Sequence, residues 1–196
     1  MGLTETLKRS AAALRDGGVP FALAGSAACW ARGAPAPRND IDFVICERDA
    51  ERAEQALAAA GMRIERPPEG WLLKAWDDDV MIDLIWELEG CEDTDAVLAR
   101  AEQLSVEALR MPVIALEDVM TSKLCAFDAH TLDFAPALLV ARSLREQIDW
   151  SSVRRRTVRS PYARGFLALL EALGVIASQP GDRGEQHPQV RVVSDG

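Results

Sequence analysis

Phe21-Ala22-Leu23-Ala24-Gly25-Ser26 and, thirteen residues further on, Asp40-Ile41-Asp42-Phe43-Val44-Ile45 decide how this chain folds. The first stretch reads as a strand running into a Gly-Ser turn that opens a short helix. The second reads as a strand bearing two carboxylates. Side chains alternate faces along a strand, so Asp40 and Asp42 point one way while Ile41 and Phe43 point into a core. Two carboxylates side by side on a buried strand repel each other and are costly unless a cation neutralises them. Hard divalent ions such as Mg²⁺ want such oxygens and usually share them with substrate phosphates. Exposed backbone N–H groups at a helix start, as at Gly25-Ser26, form a natural cradle for phosphate. Together the two halves suggest a nucleoside triphosphate gripped at one end and its metals at the other.

Each half alone has an ordinary reading: a Gly-Ser turn before a helix, and a solvated Asp-x-Asp face. At this spacing the pair resembles the signature of the nucleotidyltransferase superfamily related to DNA polymerase beta. That signature is a hydrophobic residue, Gly, Gly or Ser, a spacer, then Asp, hydrophobic, Asp or Glu, hydrophobic; Ala24-Gly25-Ser26 and Asp40-Ile41-Asp42-Phe43 match it. The resemblance implies an α/β (α+β) fold, a mixed sheet with flanking helices plus a C-terminal helical annex. It implies catalytic roles for Asp40 and Asp42 and a third carboxylate on a nearby strand. Val80-Met81-Ile82-Asp83-Leu84-Ile85-Trp86 is an apolar run of strand length with Asp83 as its single charge. An isolated carboxylate there needs a partner; a hydrogen-bond network or an exposed edge is the alternative to a ligand role. By the resemblance, Asp40, Asp42 and Asp83 would hold two Mg²⁺ ions, with the NTP as donor and Asp83 beside the acceptor hydroxyl as a base. Asp77-Asp78-Asp79 reads as a solvated turn between strands rather than as ligands.

A chain of 196 residues, 48% hydrophobic, can bury one good core with room for a helical annex. No apolar run reaches membrane-spanning length. Met1-Gly2-Leu3-Thr4-Glu5 lacks the basic and apolar regions of a signal peptide. Cys29, Cys46, Cys91 and Cys125 are far apart and form no CxxC. They read as reduced thiols of a cytoplasmic protein, with Cys91 the more exposed.

Helical periodicity and end signals predict helices over 3–16, 27–32, 49–60 and 93–102. Strands are expected over 21–24, 40–46 and 62–65, with 71–76 and 80–86 as an antiparallel pair and a short extended segment over 106–114 broken by Pro112. After Leu116 the pattern turns helical, over 116–127, 132–148 and 161–173. The expected organisation is a catalytic domain over 1–115, a helical annex over 116–176 and a flexible tail over 177–196, where Gln, Pro, Gly, Asp and His replace apolar residues.

The annex carries a looser likeness. Glu117-Asp118-Val119-Met120-Thr121-Ser122-Lys123-Leu124 resembles a helix of AbiEii- and MenT-toxin-like bacterial nucleotidyltransferases, and 139–150 resembles the annex helix of small actinobacterial relatives. The resemblance implies that Lys123 contacts the triphosphate beside Gly25 and Ser26 and that Asp133 belongs to the nucleotide site. The usual Arg-x-Lys-Asp run is absent, and His130 reads equally as a phosphate contact or a plain loop histidine. The formal net charge of −9 argues against a general nucleic-acid binder. Seven arginines nonetheless fall between Arg142 and Arg164, against Glu146 and Asp149. They read either as a solvated face or as an RNA track. Three functions stay open: nucleotide transfer onto an RNA or tRNA end through Arg154, Arg155 and Arg156, as in type IV toxin-like enzymes with an antitoxin partner; transfer onto a small hydroxylated molecule, as in aminoglycoside-modifying relatives; or a non-catalytic antitoxin or binding module that kept the fold.

Overall fold

A computed structural model describes residues 2–38, 40–91 and 93–178; the expected tail lies, from residue 179 onward, outside the described residues. The first helix, α1 (Leu3–Asp16), buries Leu7, Ala11 and Leu14 and stops at Gly17-Gly18. Strand β1 (Phe21–Leu23) leads into α2 (Gly25–Trp30), and the chain returns as β2 (Asp40–Ile45), antiparallel to β1. A short 3-10 turn (Glu47–Asp49), α3 (Ala50–Ala59) and β3 (Arg63–Glu65) follow, then the hairpin of β4 (Leu72–Asp77) and β5 (Val80–Ile85). β5 lies parallel to β2, and the long excursion through α3 supplies the crossover that a parallel pair requires. Helix α4 (Thr94–Ala99) precedes a second hairpin, β6 (Glu102–Val106) and β7 (Leu109–Val113). The seven strands form one mixed sheet in the order β3-β4-β5-β2-β1-β7-β6. This is the expected α/β class.

Parity along the strands divides the sheet. Ile41, Phe43 and Ile45 on β2 and Ile82 and Leu84 on β5 are at most 1% exposed and form the inner face. Helices α1 and α3 cover that face; Phe21 meets Phe43 edge-on with ring centroids 5.3 Å apart. Asp40, Asp42 and Asp83 occupy the opposite face. On that side Gly25 of α2 closes on Asp42, Lys123 of α5 (Leu116–Cys125) acts on it, and α4 packs against β2 near Cys46.

Four expectations are corrected. Asp77 is not solvated: it is buried on the inner face, where Thr6 Oγ1 donates to it at 2.8 Å and Arg9 forms an ion pair with it. The turn itself is only Asp78-Asp79, with Asp78 in the left-handed region at φ +53°. The helix expected over 93–102 ends at Ala99, and 102–113 is a hairpin rather than one broken strand. Its turn residues Glu107 and Ala108 both have positive φ, the geometry of a tight hairpin turn that Asn-Gly usually announces. Pro112 is accommodated within β7, opposite Gln103. The helix expected over 132–148 is shorter, α6 (Ala135–Leu144), and a separate helix, α7 (Trp150–Thr157), begins where Asp149 accepts hydrogen bonds from the N–H groups of Ser151 and Ser152. α8 (Pro161–Ala172) closes the fold, with Phe127, Phe134 and Phe166 packed edge-on between α5, α6 and α8.

Asp118, wholly buried in the first turn of α5, fastens α7 to the rest. Arg100, following α4, and Arg156 of α7 both donate to its carboxylate, at 2.7 and 2.6 Å. Removing the anion leaves two half-buried guanidinium groups facing each other. Asp118→Ala is expected to lower stability by about 2–4 kcal/mol, with Arg156→Met costing less because its end of the pair reaches solvent. Urea unfolding midpoints of the two variants against the unmodified chain measure both numbers.

Candidate active site

Register places the first two elements of the site. β2 and β5 run parallel with Asp42 opposite Asp83 and Asp40 opposite Met81, so Asp40, Asp42 and Asp83 share one face as the alternation of apolar residues implies. Burial first, and then the negative charges of Asp40 and Asp83, push the Asp42 carboxyl up from its ordinary 3.8 to about 6. Lys123 and Lys74 pull it back. The face therefore carries more negative charge than the protein itself compensates.

The Gly25 turn is built against this carboxylate. Gly25 has φ +52°, and a Cβ placed on it would stand 1.8 Å from Asp42 Oδ2 and 2.6 Å from Asp42 Cγ. Ala24 N–H donates to the Asp42 carbonyl at 2.8 Å, fixing the approach. Glycine is required here for two independent reasons, the backbone conformation and the close passage of the Asp42 side chain. Ser26 follows directly at the start of α2.

Lys123 projects from α5 toward the same site, near enough to act electrostatically on Asp42 and on Cys29 of α2. Burial raises the Cys29 thiol to about 11 despite Lys123 and Arg32, which leaves it an inert packing group. Lys123 and Asp133 line one pocket of about 260 Å³ with Phe127, Thr131 and Pro136. Asp133 also accepts the Ala135 N–H at 3.0 Å and so caps the entry to α6. His130 lies apart, on an exposed turn where its N–H donates to Asp128.

The sequence reading missed Lys74. It stands on β4 directly opposite Asp83, and its Nζ donates to Asp83 Oδ1 at 2.9 Å. The signal was present as the lone cation in Leu72-Leu73-Lys74-Ala75-Trp76. Its meaning depends on the β4–β5 register, which sets Lys74 against Asp83. All four cysteines are free thiols.

Mg²⁺ suits this donor set. Among the described residues no three His, Cys, Asp or Glu side chains converge into a ready-made metal cage. Mg²⁺ rarely uses one: it keeps its waters and takes one or two carboxylates together with substrate phosphates. The uncompensated charge around Asp42 is the condition that a shared cation relieves.

Two of the three arginines expected to meet RNA are engaged internally. Arg154 pairs with Glu171 of α8, and Arg156 with Asp118; Arg155 is exposed and reaches Ser151. Among the described residues no helix is long and apolar enough to cross a membrane.

No protein-family model matches the sequence, and no curated protein does. Solved structures share the fold. The antibiotic-resistance factor ANT(2'')-Ia superposes with a TM-score of 0.53 over 87% of this chain and 92% of its own, at 15% identity. JHP933 from Helicobacter pylori superposes with a TM-score of 0.51 over 87% of this chain and 89% of its own, at 12% identity. At these identities the likeness establishes the fold alone, a mixed sheet with flanking helices.

The raised Asp42 carboxyl has a consequence for stability. Below pH 3.8 Asp42 is protonated in both folded and unfolded chains and costs nothing. Between 3.8 and about 6 the unfolded chain ionises first, so stability is progressively lost as pH rises, and above about 6 the whole cost is present. Without metal, Asp42→Asn should therefore be more stable than the unmodified chain by up to about 3 kcal/mol at pH 7.5, with the gap closing near pH 4. Chemical denaturation in EDTA across that range measures it; a gap that does not change with pH contradicts the assignment of charge.

Proposed function

We propose that the chain is a Mg²⁺-dependent nucleotidyltransferase, moving a nucleoside monophosphate from an NTP to a hydroxyl acceptor. The observation that carries this reading is the set of three carboxylates, Asp40, Asp42 and Asp83, on neighbouring parallel strands, with the Gly25 turn closing directly on Asp42. Asp40 and Asp42, with Asp83, would hold two Mg²⁺ ions. When bound, the ions supply charge neutralisation at the phosphates and lower the acceptor hydroxyl's pKa. Backbone N–H groups of the Gly25-Ser26 turn and the Lys123 ammonium would orient the β- and γ-phosphates, with Asp133 at the far wall of the Lys123 pocket. Asp83, oriented by its contact with Lys74, would take the proton of the acceptor hydroxyl. The acceptor oxygen bonds to the α-phosphorus as the bond to the β-phosphate oxygen breaks, and pyrophosphate leaves.

The internal use of Arg154 and Arg156 weakens the RNA reading and puts a small hydroxylated acceptor first. Likeness in fold to an antibiotic-resistance factor agrees with that order. Transfer onto RNA, with an antitoxin partner, is the second reading; the exposed Arg142, Arg145, Arg155, Arg159 and Arg164 favour it. The division into a catalytic domain over 1–115 and an annex over 116–176, working in the cytoplasm, belongs to the same proposal.

Incubation with each labelled NTP and Mg²⁺, against total RNA in one series and hydroxylated small molecules in another, tests the reading. Labelled product is expected in the small-molecule series, with pyrophosphate released in equal amount. Asp42→Asn should lower turnover by about a thousandfold. Lys123→Ala should weaken NTP binding by about tenfold in calorimetry, the worth of one charge-assisted phosphate contact. Unchanged NTP affinity in that variant returns Lys123 to an ordinary helix lysine.

A further inference from the structure

A cleft of about 870 Å³ opens beyond the C-terminal ends of β2 and β5. Its floor continues the catalytic face. Ile85 lies two residues past Asp83 on the same side of β5, about 7 Å along the strand. Cys46 follows β2 with the parity of Asp42, and Ser122 and Ala126 bring α5 to the opposite wall, flanking Lys123 in sequence. A molecule seated here lies against Ile85, two residues from Asp83 on the same face and toward the end of the strands away from the Gly25 turn.

The chemistry of the walls is one-sided. Glu47, Glu87, Glu89, Asp93 and Asp95 line the cleft against a single guanidinium, Arg48, which Asp95 holds in a two-pronged pair. The carboxylates of Glu47, Glu87 and Glu89 are exposed and accept no hydrogen bond or ion pair from a described residue. Two indoles, Trp71 and Trp86, line the cleft as well, and Trp71 is one of the few large apolar side chains left in solvent, at 39% exposure. The Trp86 indole N–H is buried without an acceptor. A donor in that condition is normally satisfied by a bound oxygen or nitrogen. Indole faces beside free carboxylates are a receptor for ammonium groups. The same carboxylates repel a phosphodiester backbone. The volume lies within the range of drug-sized ligand sites.

We infer that this cleft is the acceptor site and that the acceptor is a cationic, hydroxylated small molecule carrying two or more ammonium groups. The need for a hydroxyl rests on the nucleotidyl-transfer reading; the need for ammonium groups rests on the cleft alone. Glu87 and Glu89, exposed on the segment that follows β5, set the charge requirement, and Trp71 and Trp86 supply the flat surfaces.

Calorimetric titration of the full chain with kanamycin, spermidine and maltotriose separates the components. Kanamycin carries hydroxyls and several ammonium groups, spermidine only ammonium groups, and maltotriose only hydroxyls. Kanamycin is expected to bind about tenfold more tightly than either of the others, and the Glu87→Gln/Glu89→Gln double variant to lose about tenfold of that affinity, the size of two partly exposed ion pairs. Trp71→Ala, a surface change that spares the core, should weaken kanamycin independently. Equal affinity for maltotriose, or no loss in both variants, overturns the inference; spermidine binding as tightly as kanamycin overturns its hydroxylated half. NTP·Mg²⁺ is titrated separately on the unmodified protein. NTP binding without kanamycin binding removes the cleft assignment and leaves nucleotidyl transfer standing, whereas kanamycin binding without NTP binding does the reverse.

Discussion

Like-charge repulsion across the β2–β5 pair is the constraint around which the outer face is arranged. Parallel pairing in register sets Asp42 beside Asp83, and Asp40 adds a third carboxylate two residues away. The protein answers with two lysines from different places, Lys74 across the β4 hairpin and Lys123 from α5, and Asp42 remains raised to about 6 even so. An apolar residue at position 40 or 42 would relieve this repulsion without disturbing the inner face, which Ile41, Phe43, Ile82 and Leu84 complete by themselves. A stability cost retained on one face of an otherwise well-packed sheet is characteristic of a working site.

The second organising feature is the way the C-terminal helices are tied down. Asp118 gathers Arg100 and Arg156, Glu117 accepts the Asp149 N–H at the start of α7, and Gln147 donates to the Arg32 carbonyl just past α2. These contacts reach elements that also frame the site: α5 carries Lys123, and α2 begins at Gly25. Arginine in this region is thus a structural fastening as much as a surface charge. A count of charges along the sequence gives the number of guanidinium groups but not their partners, and Glu171, the partner of Arg154, lies 17 residues away in a different helix.

What was legible in the sequence follows from periodicity. The alternation in Asp40–Ile45 and Val80–Ile85 revealed both strands and which side each carboxylate takes, and glycine at position 25 marked the turn. Register was not legible, and with it went Lys74, whose role appears only once β4 is laid against β5. Burial of Asp77 was hidden because its partners, Thr6 and Arg9, come from the first helix. The β6–β7 hairpin was hidden because Glu107-Ala108 adopts left-handed backbone without the residues that favour it, so neighbouring strand pairing overrode local preference. The large cleft was equally invisible, since Trp71, Trp86 and the acids at 47, 87 and 89 converge from separate loops.

The contact between Gly25 and Asp42 bears on how this protein is compared with others of its shape. A methyl group at position 25 cannot coexist with the observed Asp42 rotamer, because the two would occupy the same volume. The carboxylate in this position therefore requires glycine at 25, although glycine does not require the carboxylate. In a descendant chain, any side chain at the position of Gly25 would signal that the carboxylate had already moved or been lost. That makes a single backbone position a marker of decay, separating chains that retain the chemistry of this face from those that keep only its architecture.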